Sequence, residues 1–122
     1  MEILSMIVAA AVTHGVDPNL LKAVCYKETR WRNVVVHDNK SKSYGACQVK
    51  QIAAKEVGLP SANLNEPETS IQIGAMYLKR KLNECPNTLK AIGAYNTGKC
   101  IIPKGKYVDD VIKLYEEFKN EE

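Results

Sequence analysis

Our prediction of a helical fold starts from the stretch DPNLLKAVCYKET, residues 17–29 of this 122-residue sequence. Asp17 followed by Pro18 is typical of a helix start, because an aspartate side chain caps the first turn and proline is tolerated there. Three apolar residues and one carboxylate then share a helix face at helical spacing: Leu21, Val24, Cys25 and Glu28. The stretch therefore predicts a helix to about Thr29 whose buried face carries a glutamate.

Apolar periodicity predicts further helices on both sides of this stretch. A first helix is predicted around residues 3–12, where one apolar stripe recurs: Ile3, Leu4, Ile7, Val8, Ala11 and Val12. Further helices are predicted at about residues 49–57, 67–85, 89–96 and 107–118, with glycines and prolines between them. Short connections between several helices predict a compact all-α fold, which we take as one domain over residues 1–122.

The segment of residues 30–44 is the exception, because it is rich in Asn, Lys and Ser and has no helical period. We predict an irregular loop there. Its three valines at positions 34–36 are typical of a strand, but the sequence offers no evident sheet for that strand to join.

Composition excludes several classes of protein. Charged residues make up 25% and hydrophobic residues 45%, which is the balance of a globular protein rather than a disordered one. Seventeen Lys and Arg against fourteen Asp and Glu leave +3, too mild a charge to demand nucleic acid. The longest apolar run covers residues 6–12, whereas a membrane-spanning helix needs about 20 residues, so we expect no membrane insertion. The only early charge is acidic Glu2, which does not fit a signal peptide.

Four cysteines are present, at positions 25, 47, 85 and 100. No Cys-x-x-Cys pair or Cys/His cluster occurs, so the spacing does not indicate a structural zinc site. Two interpretations remain open, buried free thiols or one or two disulfides in an oxidising compartment, and the sequence does not rank the three full pairings.

Glu28 is the first candidate for chemistry. An ionised carboxylate on an apolar stripe costs free energy, so its pKa is expected to rise, as a general acid near neutral pH requires. The alternative is that Glu28 turns to solvent, or pairs with Arg30 or Arg32.

Two more polar groups lie where they could face a cleft. Tyr95 and Asn96 lie at the end of an apolar helix, where they could present a hydroxyl and an amide to a cleft. The alternative is that Tyr95 is a core aromatic residue and Asn96 a C-terminal cap of the helix. The segment 43–48, SYGACQ, offers Ser43 and Gln48 around Gly45, which permits close backbone approach; an ordinary loop and helix start is the alternative.

Taken together, four segments resemble the motif series of the lytic transglycosylase family. They are ETRW at 28–31, SYGACQ at 43–48, IQIGAMYL at 71–78 and AYNTG at 94–98, in the family's order Glu-Ser, Gly-Leu-Met-Gln, Asn-Ile-x-x-Gly-x-x-Tyr-Leu and Ala-Tyr-Asn-x-Gly. The resemblance covers about residues 12–98 and implies a lysozyme-like fold, shared with goose-type lysozymes. It implies that Glu28 is the catalytic acid/base, that Tyr95 lies near that carboxylate, and that Ser43, Gln48 and Asn96 lie at the sugar-binding cleft.

The sequence departs from the family pattern at three places. Thr29 replaces the usual serine but keeps a hydroxyl, and Ser70 stands where the third motif has asparagine. Ala46 and Cys47 replace Leu-Met, so we expect a smaller apolar wall of the cleft and an altered subsite preference.

The resemblance implies cleavage of the β-1,4 bond between N-acetylmuramic acid and N-acetylglucosamine in peptidoglycan, with formation of 1,6-anhydromuramic acid. It implies no cofactor and no metal, glycan strands as the partner, and action at the cell wall in the periplasm or outside the cell. With no signal peptide visible, a phage-encoded enzyme or another export route is expected, and a monomer is the default.

Three alternatives stay open. A hydrolytic lysozyme would want a second carboxylate, for which Asp38 is the candidate. A non-catalytic glycan-binding module would not need Glu28 on an apolar stripe. A small helical nucleic-acid-binding protein would use the lysines and arginine at positions 79–81, 99, 104 and 106, which solvated helix faces and loops also explain.

Overall fold

Helices dominate the computed structural model, which describes residues 1–121. In chain order its elements are α1 (Ile3–His14), α2 (Pro18–Thr29), β1 (Val35–His37), β2 (Lys42–Tyr44), α3 (Gln51–Glu56), α4 (Pro67–Glu84), α5 (Thr88–Thr97) and α6 (Tyr107–Asn120). The helical prediction is confirmed, with a small two-stranded sheet added. None of the helices in this described part is both long enough and apolar enough to cross a membrane.

The helix that carries Glu28 begins and ends as the local sequence dictates. The Asp17 carboxylate accepts a 2.9 Å hydrogen bond from the backbone N–H of Asn19 and so caps the first turn of α2. After α2, Arg30 and Trp31 both have positive φ, 60° and 65°, which turns the chain away from the helix axis. Trp31 holds this turn in place, because its indole N–H donates to the backbone oxygen of Lys22 at 2.9 Å.

The core forms where α2 packs against α1 and α6, while α4 packs against α1, α3 and α5. Its fully buried larger aliphatic side chains come from five helices: Ile7, Leu21, Val24, Ile71, Ile73, Leu78, Ile92 and Val111. Burying one such side chain contributes about 1.5–3 kcal/mol, so these contacts hold the helices in the arrangement that forms the site.

The loop predicted for residues 30–44 is wrong in part, because it contains a β-hairpin. β1 pairs antiparallel with β2, with Val36 opposite Ser43. In the turn, the Asp38 carboxylate accepts hydrogen bonds of 2.9 Å from the backbone N–H groups of Lys40 and Ser41. The partner strand, Lys-Ser-Tyr, has little strand character of its own, so the sequence did not reveal the pairing.

Two helices differ from their predicted outlines. In α1 the buried residues are Ile7, Ala10 and Ala11, so the predicted stripe is right at Ile7 and Ala11, whereas Val12 at its edge is 67% exposed. α3 begins at Gln51 rather than at residue 49, because Val49 forms a β-bridge with Tyr44 instead.

Of the two interpretations of the cysteines, buried free thiols or disulfides, the structure shows disulfides. Cys25 is bonded to Cys47, and Cys85 to Cys100. The first bond ties α2 to the turn that precedes α3, and the second ties the end of α4 to the loop after α5.

Candidate active site

A cleft of about 480 Å³ opens where the end of α2, the hairpin, α3, α4 and α5 meet. All five residues singled out from the sequence line it: Glu28, Ser43, Gln48, Tyr95 and Asn96. The other lining residues are Val49, Lys50, Ile52, Ala53, Glu56, Tyr77, Thr97, Gly98 and Lys99. The fold thus brings together residues spread over more than half of the sequence.

Glu28 is partly buried in the last turn of α2, with its carboxylate towards the cleft. Its Oε2 accepts a 2.6 Å hydrogen bond from the hydroxyl of Tyr107. Burial raises the pKa of Glu28, and the opposing effects of the Tyr107 hydrogen bond and of the charges of Lys27 and Lys50 do not cancel that rise. A larger fraction of Glu28 is therefore protonated near neutral pH than of an exposed glutamate.

The alternative in which an arginine neutralises Glu28 is wrong. The Arg32 Nε–H donates to the backbone oxygen of Thr29 at 2.8 Å. The Arg30 guanidinium lies over the ring of Tyr26, 5.8 Å from its centre. Both arginines are engaged elsewhere, so Glu28 depends on its hydrogen bond rather than on an ion pair.

Tyr107 is one of the site residues that the sequence analysis missed. It is the first residue of α6, and burial and the adjacent Glu28 raise its pKa well above the usual range for tyrosine. It therefore stays a neutral hydrogen-bond donor to Glu28. The only signal in the sequence is an aromatic residue at the start of an amphipathic helix, and nothing local indicates a contact across 79 positions.

Tyr95 is buried, and its hydroxyl donates to the backbone oxygen of Cys47 at 2.6 Å. Burial raises its pKa well above the usual value, and the charge of Glu28 raises it further. Its ring packs edge-on against Tyr77 with 5.5 Å between centres. Tyr95 thus lies close to Glu28, as the resemblance implies. Its hydroxyl, however, holds the turn before α3 in place, and the hydrogen bond to the Glu28 carboxylate comes from Tyr107.

The three remaining predicted residues occupy the rim and wall of the cleft. The Gln48 side-chain amide N–H₂ donates to the backbone oxygens of Val34 at 3.0 Å and Gly45 at 2.9 Å, so it fastens the hairpin to the turn before α3. Ser43 is half-buried on β2, and Asn96 is exposed near the end of α5. Asn96 is therefore the most accessible of the three for a ligand, and the Gln48 amide N–H₂ is already engaged by the backbone.

All three departures from the family pattern lie behind the cleft. Ala46 and Cys47 are fully buried and neither lines the cleft, so our expectation of a smaller apolar wall is wrong. The Thr29 hydroxyl donates to the backbone oxygen of Ala46 at 2.7 Å and thereby joins α2 to this turn. Ser70 is buried beside Gly45, whose φ is +78°; a β-carbon there would lie 2.1 Å from the Ser70 hydroxyl oxygen.

The second carboxylate proposed for a hydrolase is in the wrong place. Asp38 lies in the exposed hairpin turn and is not among the lining residues. The hydrogen bonds from the backbone of Lys40 and Ser41 lower its pKa. The carboxylate that does share the cleft with Glu28 is Glu56, which the sequence analysis did not single out.

The basic run at positions 79–81 is not an open cationic face. Lys81 is buried and ion-paired with Glu56 and Glu84, at 3.1 Å each. Arg80 pairs with Glu84 at 3.1 Å, and Lys79 donates to the backbone oxygen of Gly15 at 3.1 Å. This use of the run weakens the nucleic-acid alternative. Across residues 1–121, no three His, Cys, Asp or Glu side chains gather as a metal site would require.

Comparison with known proteins identifies the family. Residues 5–110 match the model of the transglycosylase SLT domain. The chain belongs to this family. Membership supports a transglycosylase-type, peptidoglycan-related activity and agrees with a lysozyme-like fold, as the resemblance implied.

The SLT domain here is also similar to three curated proteins of Escherichia coli. One X polypeptide is 34% identical over 91 residues, which cover 70% of this chain and 54% of the relative. The X polypeptide of strain K12 is 29% identical over 118 residues, which cover 88% of this chain and 70% of that relative. A peptidoglycan-binding-like protein of strain O157:H7 is 26% identical over 119 residues, covering 87% and 71%. The chain therefore spans about half the length of the first relative.

Proposed function

We propose that this SLT domain is a lytic transglycosylase that cleaves the β-1,4 bond between N-acetylmuramic acid and N-acetylglucosamine in peptidoglycan. The observation that carries the proposal is Glu28, a partly buried carboxylate with a raised pKa, in a cleft lined by polar side chains. In this proposal residues 1–122 act as one catalytic domain, as a monomer, on the cell wall in the periplasm or outside the cell.

In the first step, protonated Glu28 donates its proton to the glycosidic oxygen as the bond from that oxygen to the anomeric carbon breaks. The acetamido oxygen of the same muramic acid bonds to the anomeric carbon and takes up the positive charge, which is the substrate-assisted variant of glycoside cleavage. Burial favours this step, because it raises the pKa of Glu28 and so keeps its proton available.

In the second step, ionised Glu28 accepts the proton of the muramic acid C6 hydroxyl. The C6 oxygen bonds to the anomeric carbon, the acetamido oxygen is released, and the 1,6-anhydro ring closes without consuming water. The Tyr107 hydroxyl, 2.6 Å from Glu28 Oε2, stabilises the carboxylate in this state, and the charges of Lys27 and Lys50 act in the same direction. One glutamate thus serves as acid and then as base.

A hydrolytic lysozyme is the second candidate, and the presence of Glu56 in the cleft is the observation that favours it. In that reaction a second carboxylate holds a water molecule that attacks the anomeric carbon. The two reactions differ in their products, because hydrolysis adds one water to the new sugar end.

The test is digestion of purified peptidoglycan by the wild type and by Glu28→Gln, with mass spectrometry of the released muropeptides. We expect products that end in 1,6-anhydromuramic acid from the wild type and none from the variant. Reducing-end products, heavier by one water, would contradict the transglycosylase proposal in favour of the lysozyme. No cleavage by the wild type would contradict both and favour a glycan-binding module.

A further inference from the structure

Glu56 ends α3 and lines the cleft, and it lies outside the chemistry proposed for Glu28. We propose that Glu56 binds substrate in a subsite beside the scissile bond, where it accepts a hydrogen bond from an N–H or ammonium group. This inference rests on the proposed function, since it names a further residue for the same substrate.

The first argument is the position of Glu56 along the cleft. α3 runs from Lys50, its N-terminal flanking residue, whose charge acts on Glu28, to Glu56 at its last helical position. Six residues of helix correspond to roughly 9 Å along the axis. Glu56 therefore lies at the end of α3 away from Glu28, where a neighbouring part of the glycan strand or its peptide would pass.

The second argument is that two cations hold the Glu56 carboxylate in one orientation. Lys81 Nζ lies 3.1 Å from Glu56 Oε2, and Arg80 Nε lies 3.9 Å from the same oxygen. Lys81 is only 5% exposed and lies over the Tyr77 ring, 5.0 Å from its centre, beneath the cleft. A buried cation so placed costs too much to leave unpaired, and it keeps the side chain of Glu56 in one orientation.

The third argument is that one oxygen of Glu56 is left for a ligand. Both cation contacts are made by Oε2, and within residues 1–121 Oε1 takes part in no hydrogen bond or ion pair. The Glu56 side chain is 35% exposed, so a ligand in the cleft can reach it. A carboxylate oxygen is an acceptor only, so the ligand must be a donor. Peptidoglycan supplies acetamido N–H groups on its sugars and ammonium groups on its stem peptides.

Glu84 provides a matched control for this assignment. It binds Lys81 at the same 3.1 Å, and its side chain is 41% exposed, but it does not line the cleft. Glu56→Gln and Glu84→Gln each remove one carboxylate from Lys81 and leave the other in place. A merely structural role of Glu56 would therefore give the two variants the same properties.

The experiment measures binding rather than turnover, with both substitutions introduced into the Glu28→Gln variant. Sedimentation with insoluble peptidoglycan gives one dissociation constant, and titration with soluble glycan strands stripped of their stems by an amidase gives the other. We expect Glu56→Gln to weaken binding about tenfold, as the loss of a charged hydrogen bond does, and Glu84→Gln to leave it within roughly twofold. Thermal melting of both variants verifies that they lose similar stability.

The two ligands identify the donor. An effect of Glu56→Gln on intact peptidoglycan alone assigns the stem ammonium, and an effect on both ligands assigns the sugar N–H. Equal binding by the Glu56 and Glu84 variants would overturn the proposal. So would loss of cleavage in the single Glu56→Gln variant as complete as in Glu28→Gln, since Glu56 would then be a catalytic group. The binding comparison needs no cleavage, so failure of the proposed function would be seen separately.

Discussion

At the scale of single residues, the contact between Glu28 and Tyr107 affects the protonation of the Glu28 carboxylate. Desolvation raises the pKa of Glu28, and the 2.6 Å hydrogen bond from Tyr107 opposes it without cancelling it. The proposed reaction needs both effects, because Glu28 first gives up a proton and then works as a carboxylate. The contact with Tyr107 thus lets one side chain serve in both protonation states of the proposed reaction.

Tyr107→Phe should shift the pH dependence of cleavage upwards. The hydrogen bond stabilises ionised Glu28, so its loss raises the pKa of Glu28 further, and the protonated acid persists to higher pH. A hydrogen bond to a charged group is worth about 1.5–3 kcal/mol, so we expect the alkaline limb of kcat/KM to move up by about one pH unit. The rate at the optimum should fall, because Glu28 loses its orienting contact.

The measurement is the pH profile of kcat/KM for the wild type and the variant. Tyr115→Phe is the matched control, since the Tyr115 hydroxyl donates to Asp17 at 2.7 Å, outside the cleft. An alkaline limb that stays in place in Tyr107→Phe would show that Tyr107 does not tune Glu28.

At the scale of elements, the site depends on the joint between α2 and the turn before α3. The Cys25–Cys47 disulfide, the hydrogen bond from Thr29 to Ala46 and the hydrogen bond from Tyr95 to Cys47 all converge on this turn. The Cys85–Cys100 disulfide instead joins the end of α4 to the loop after α5. The two disulfides therefore have similar roles in stability. They differ in their distance along the chain from Glu28, which lies one helical turn beyond Cys25.

Replacing each disulfide by two alanines should separate stability from activity. The loops closed span 22 and 15 residues, so either loss should cost about 3 kcal/mol of unfolding free energy by the chain-entropy argument. Removal of Cys25–Cys47 should also lower kcat/KM by about tenfold more than removal of Cys85–Cys100, because small displacements of a catalytic group are costly. Denaturant unfolding and muropeptide release measure the two effects; equal losses of activity would contradict the assignment.

At the scale of the whole molecule, the core and the cleft share Val49, Ala53, Tyr77 and Tyr95, but the core also extends along α2 and α4 to α1. α1 packs against both of these helices and contributes no residue to the cleft. Its buried face is Ile7 with two small alanines, whereas Val12 faces solvent. α1 therefore acts as support for the helices that carry the site.

Ile7→Ala should destabilise the protein without changing its chemistry. Removing a fully buried isoleucine side chain costs about 2–5 kcal/mol, whereas Val12→Ala, at an exposed position of the same helix, should stay within about 0.5 kcal/mol of the wild type. Urea unfolding measures both values. Below its melting temperature Ile7→Ala should keep the kcat/KM of the wild type; a large loss of activity in the folded variant would contradict the purely supporting role of α1.

The helices and the family follow from the sequence because their signals are local. Asp17 with Pro18 starts α2, Asn87 caps α5, and the apolar period of α6 is visible within a single window. The motif segments also sufficed to select five residues that the structure places in one cleft. Their catalytic and binding roles stay predictions.

The remaining features depend on contacts between distant parts of the chain, which no local pattern encodes. The hairpin forms only because residues 42–44 pair with β1, and the disulfides represent one of three possible pairings. Tyr107 reaches Glu28 only because α6 packs against α2. In the sequence Glu56 resembles any surface residue of a helix, because its contact with buried Lys81 forms only in the folded structure. The sequence by itself thus determined the helices and the motif residues, through periodicity and capping. Only tertiary packing decided which distant groups surround the Glu28 carboxylate, and therefore its protonation.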